Sequence, residues 1–141
     1  MIEYTRKRAL TLLTLSLLLL ASCAGPSLLG RAKQSAEASY SVYQTINPQV
    51  VSQIQAIVEK NRAGTITDAD RARLRSLDQL KKDLDEYAKT HNLFVQSIQT
   101  WEATNQAPND AVILENRLLI LINLVLDEAK ALDLQIPAGL R

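Results

Sequence analysis

At 141 residues and a formal net charge of +1, the chain has room for a single domain with one modest core. A near-neutral balance provides no basic face for nucleic acid, and a single cysteine excludes an internal disulfide framework. Gly and Pro number four each and only 4% of residues are aromatic, so the Leu-, Ala- and Gln-rich remainder predicts an all-α chain.

The chain opens with the basic cluster Arg6, Lys7, Arg8, followed by the largely apolar run Ala9–Ala21 and then small residues. This is the layout of a secretory signal. Thirteen residues fall short of the roughly 20 that a membrane-spanning helix takes. The run ends in Leu20-Ala21-Ser22-Cys23, which resembles the lipobox of bacterial lipoproteins. That resemblance implies cleavage between Ser22 and Cys23, diacylglycerol in thioether linkage to the Cys23 sulfur, and an N-acyl chain on the new amine. Two or three acyl chains hold a protein to a membrane far more firmly than one. Ala24 follows the cysteine where an Asp would favour the inner membrane. The resemblance thus points to the outer membrane, facing the periplasm, in a double-membraned cell, and to the outer face of the cell membrane otherwise.

Removing residues 1–22 takes away Arg6, Lys7, Arg8 and Glu3 and leaves 13 basic and 14 acidic side chains. Export and this neutrality both argue against nucleic acid as a partner. Residues 23–30 read as the lipidated N-terminus and a short linker, since Ala24, Gly25, Pro26 and Gly30 suit a turn-rich connection. Residues 31–134 carry the helical bundle, and 135–141 form a tail.

From Arg31 the residues Ala32, Ala36, Ser39, Tyr43, Ile46, Val50, Ile54 and Ile57 recur mostly at steps of three and four, one face of a helix. Pro48 interrupts it, and Asn47 is placed to cap a new helix there. The seam keeps its phase across Pro48, which favours a kink or brief break over a reversal. Gly64 suits the end of this arm. Thr67 and Asp70 then approximate a capping box. A long helix follows to about Thr104, with the heptad-like seam Leu77, Leu80, Leu84, Tyr87, His91, Phe94, Ile98, Trp101. Its outer surface offers the i,i+4 pairs Asp78/Lys82, Lys81/Asp85, Lys82/Glu86 and Asp85/Lys89.

Asn105–Asn109 reads as a turn, and Asn109 or Asp110 as the cap of a last helix at about 111–133. That helix is apolar nearly all round, save a narrow stripe through Asn116, Asn123, Asp127 and Lys130. Such a helix is expected to be buried on most sides. The predicted fold is an elongated antiparallel bundle of three to four helices, with the last packed into the groove between the first two.

Candidate chemistry is sparse. His91 is the only histidine and lies on the apolar seam, as a core histidine satisfied by one partner. Without further ligands it builds no zinc site. Asp68 and Asp70 begin a calcium-loop pattern whose central Gly and distal Glu are missing, so capping explains them. Arg71, Arg73 and Arg75 step round the helix and read as solvated surface. Tyr40, Tyr43, Tyr87, Phe94 and Trp101 take helical spacing as core aromatics, with Trp101, near a helix end, the best placed for partial exposure. No phosphate loop, Ser/His/Asp set or nucleophile elbow is present.

The expected function is therefore non-enzymatic, with no cofactor beyond the lipid on Cys23 and no metal. Two partner helices cannot cover all of residues 112–126. Leu119, Ile120, Ile122 and Leu126 are the expected contacts to an envelope protein or to a second copy of the chain. Small helical lipoproteins of bacteria and their phages act this way in envelope assembly, lysis or exclusion of competing phages, a likeness of address and size alone. The rival expectation is a carrier or sensor of a small apolar ligand, with the bundle core as pocket and His91 as polar anchor.

Overall fold

A computed structural model describes residues 27–137. The predicted signal segment, Ser22, Cys23 and the last residues of the tail lie outside the described residues. Among the described residues three helices make up the fold: α1 (Leu28–Arg62), α2 (Asp68–Thr104) and α3 (Ala111–Ala131). The protein is an all-α bundle.

The first helix begins earlier than the sequence suggests. Ser27 accepts a hydrogen bond from the Gly30 amide through its side chain at 3.1 Å, an N-cap that starts the helix at Leu28. The predicted linker through residue 30 is thus shortened from its C-terminal side. Pro48 sits inside α1 without ending it, and Asn47 is an interior residue rather than a cap. Proline removes the amide that would bond the Gln44 carbonyl. Gln44 and Pro48 are both on the exposed face. Next to the Gln44 carbonyl, the Gln49 side chain donates to the Thr45 carbonyl at 2.6 Å.

Gly64, with φ 71, closes α1. Its amide bonds to the Asn61 carbonyl and the Thr65 amide to the Lys60 carbonyl, a Schellman ending that requires a left-handed residue. The capping box at Thr67 and Asp70 then forms in full, with both reciprocal hydrogen bonds present. The third helix ends at Ala131, two residues short of expectation, in the same Schellman geometry. Here Asp133, at φ 55, takes the left-handed position, with Asp133 N bonded to Lys130 O and Leu134 N to Ala129 O.

Cross-helix contacts set the topology. The Lys33–Glu102 and Lys60–Asp70 ion pairs tie the ends of α1 and α2 together in antiparallel order. Ser97 and Asp110, with Glu86 and Arg117, do the same for α2 and α3, so the bundle runs up-down-up. Of the four predicted i,i+4 pairs, Lys81–Asp85 forms, and Glu86 pairs with Arg117 of α3 instead. The core is Ala32, Ala36, Val42, Ile46, Val50 and Ile57 of α1, Leu77, Leu80, Leu84, Tyr87, Phe94 and Ile98 of α2, and Leu118, Leu121, Val125, Leu126 and Ala129 of α3.

At 1.5 Å per residue, α1 and α2 extend roughly 50–55 Å and α3 only about 30 Å. The chain after α3 continues along the longer helices. Leu132 and Leu134 are buried and Ile136 packs on the core. The Gln49 side chain clamps the Gln135 backbone both ways, accepting from its amide and donating to its carbonyl, each at 2.9 Å. The tail assigned to residues 135–141 therefore begins as part of the packed bundle. Arg73, expected on the solvated surface, is half-buried. It donates to Gln53 Oε1 at 2.9 and 3.0 Å and to the Leu132 carbonyl at 2.8 Å, serving a carbonyl freed at the end of α3.

Candidate interaction surface

The third helix does not lie evenly in the groove between its neighbours. It packs chiefly on α2 and approaches α1 less closely, so its apolar circumference is only partly covered. Ala111, Leu118, Leu121, Val125 and Ala129 face inward. At 100° per residue the opposite side carries Asn116, Asn123 and Asp127 along its middle. Val112 and Leu119 flank that stripe on one side, and Ile113, Ile120 and Leu124 on the other. All five flanking side chains are exposed, Ile120 at 69% and Leu119 at 48%. Helix α3 thus presents two apolar shoulders to solvent.

The four expected contact residues divide. Leu119 and Ile120 are on the outward side, and Ile122 is half-buried at its edge. Leu126 is a core residue at 7% exposure, and it is not available as first expected. Leu119, Ile122 and Leu126 nonetheless line one feature, a groove of about 400 Å³ between α1 and α3. Ser35, Ala38 and Val42 form its other wall. The short side chains of Ser35 and Ala38 fail to fill the gap beneath the bulkier α3 residues, and this leaves the groove open.

A polar cluster crosses the α1–α2 core. The Tyr87 hydroxyl lies 2.6 Å from the Ser39 carbonyl and 2.7 Å from Ser39 Oγ, and Ser39 Oγ is 2.9 Å from His91 Nδ1. Tyr87 donates into Ser39, and Ser39 Oγ and His91 Nδ1 share a hydrogen bond whose direction follows the histidine tautomer. Desolvation lowers the His91 pKa. Burial pushes the Tyr87 phenol up to about 12. Ser39 is fully buried, so its hydroxyl serves as a link in the core and not as an exposed nucleophile. Tyr40, expected in the core, is half-exposed and stacks on His91 at 5.9 Å between ring centroids. The cleft beside this cluster holds only about 200 Å³, below the usual size of a ligand pocket, and the intended anchor's Nδ1 is already engaged by Ser39.

Glu128 of α3 meets Asp83 of α2. Burial, then the neighbouring Asp83 charge, raises the Glu128 carboxyl to about 7. Glu128 Oε2 is buried without a donor among the described residues, and Asp83 itself accepts from Gln79 at 2.9 Å. Among the described residues no group of three or more potential metal ligands gathers, and no helix is long and apolar enough to cross a membrane.

Sequence reasoning missed Arg73, Glu128 and the groove, all of which depend on which helices become neighbours. The Gln49 clamp had a faint signal, since Gln49 falls one residue before Val50 of the seam and thus at the edge of the buried face. Comparison with protein-family models, curated proteins and solved structures finds no match. The functional reading accordingly stands on the chain's own residues.

Proposed function

We propose that this chain is an exported lipoprotein, anchored by diacylglycerol on Cys23, that acts without catalysis by binding another protein of the cell envelope through the outward face of α3. The observation that carries the binding role is the set of exposed apolar side chains along the middle of α3, Leu119 on one shoulder and Ile120 and Leu124 on the other. Exposed side chains scattered singly need no explanation, whereas two apolar shoulders grouped on one helix favour an interface. The Asn116–Asn123 stripe between the shoulders adds directional hydrogen-bonding groups, which favour one register of a partner over others. The lipoprotein address rests on the Leu20-Ala21-Ser22-Cys23 motif behind its basic and apolar segments.

A photo-crosslinking residue placed at Ile120 of the lipidated protein, in its native envelope, tests the surface. A discrete adduct that disappears when Leu119 and Leu124 are changed to Lys, with helix content unchanged by circular dichroism, is the expected result. An adduct pattern indifferent to those changes, or no adduct at all, sinks the proposal.

A further inference from the structure

A second surface lies at the end of the bundle where α1 starts, α2 ends and α3 starts. Leu28 is 68% exposed there, Val112 65% and Ile113 68%. Trp101 is half-buried beside them. Leu28, Ala32, Phe94, Trp101, Pro108 and Val112 line a cleft of about 400 Å³ that opens at this end. Arg31 borders the cleft, while Lys33 is taken up by Glu102 and Asp110 by Ser97. The surface is therefore largely apolar, with one indole at its margin together with the Arg31 guanidinium, which makes no ion pair among the described residues, and the Glu115 carboxylate, which accepts from Ser35 Oγ at 2.9 Å. That composition suits the headgroup–acyl boundary of a bilayer, where an indole keeps its ring apolar and its N–H wet, and where arginine reaches outward from an apolar stem.

The position of this end in the chain supplies the occupant. Leu28 lies five positions after Cys23, a span that fully extended reaches at most about 18 Å. A lipid on Cys23 holds Leu28 within that distance of its attachment point, and so keeps this end of the bundle near the membrane. We infer that the Leu28–Trp101–Val112 end of the bundle seats on the lipid surface, so that the protein stands on the membrane by this end with α3 directed outward from it. The inference rests on the lipoprotein reading for its tether, and it adds a second contact besides the acyl chains.

Trp101 is the only tryptophan and Cys23 the only cysteine, so one reporter and one attachment point serve the test. The full chain, produced in a bacterium that processes lipoproteins, is reconstituted into phosphatidylcholine vesicles with either plain or brominated acyl chains. Emission from Trp101 is expected to fall at least twofold in the brominated vesicles, and the combined Leu28→Gln and Val112→Gln variant to lose more than half of that quenching while still floating with the vesicles. Equal emission in both vesicle types, from protein that floats with them, overturns the inference and leaves the anchor intact. Intact mass without added acyl groups overturns the lipoprotein reading instead. Coupling a maleimide phospholipid to Cys23 then restores the tether, and the same quenching comparison decides the surface.

Discussion

Glu128 and Asp83 make the contact between α2 and α3 sensitive to protons. The Glu128 carboxyl is raised from 4.5 to about 7 in the fold by burial and by Asp83. Below about pH 4.5 the folded and unfolded chains both hold this proton. As pH rises from there through 7, the unfolded chain releases it first, and the fold loses stability. His91 works in the opposite direction. Its pKa is lowered by burial, so its contribution is present above its ordinary value near 6.5 and falls away as pH drops through the lower folded value. Replacing Glu128 by Gln removes the first dependence and keeps a hydrogen-bonding partner for Asp83. The thermal midpoint of Glu128→Gln is expected to exceed that of the wild type at pH 8, with the gap closing toward pH 4.5. A constant gap across that range contradicts a raised Glu128 carboxyl. None of this was legible in the sequence. Asp83 and Glu128 each take an ordinary place on a helix surface, and only the pairing of α2 with α3 brings them together.

Two helix ends solve the same problem with different residues. After α1 and after α3 the chain turns through a left-handed position, closing the same pair of hydrogen bonds onto the preceding turn. Gly64 occupies the first and Asp133 the second. A side chain in this conformation carries a steric cost of about 1–2 kcal/mol that glycine avoids, with Asp at the milder end. No atom lies within 4 Å of a Cβ built on Gly64, so conformation alone sets its effect. Gly64→Ala is expected to destabilise by about 1 kcal/mol and Asp133→Gly to stabilise by up to about that much, both read from urea unfolding midpoints. A stabilised Gly64→Ala contradicts the argument. Elements of this kind were the most readable part of the chain. Gly64, the Thr67–Asp70 box and the α2 seam from Leu77 to Ile98 follow from local spacing. The ends that depend on tertiary partners were misplaced. Ser27 lay hidden in a stretch read as linker, and the residues after Ala131 are held by Gln49 and Arg73 from other helices.

For the molecule as a whole, the apolar character of α3 was plain in the sequence but the side left uncovered was not. Burial depends on how many neighbours a helix has and how closely each approaches. Three helices with a distant α1–α3 contact expose Leu119 and Ile120 while sealing Leu126. The same architecture separates anchoring from folding. Among the described residues every buried apolar side chain lies between Ala32 and Leu134, and Ser27 caps the first helix. The proposed lipid site, Cys23, precedes all of them. Changing Cys23 to Ser removes the thiol that a thioether requires while leaving those contacts untouched. The variant is therefore expected to lose the acyl mass and the normal processing of the precursor, and with them its lipid-held attachment, yet to unfold at the wild-type midpoint with the same helical signal. Mass spectrometry, membrane fractionation and thermal melts read the three quantities separately. A variant that keeps an acyl mass identical to the wild type removes Cys23 as the anchor. A midpoint lowered well beyond error shows instead that the N-terminal segment contributes to the bundle.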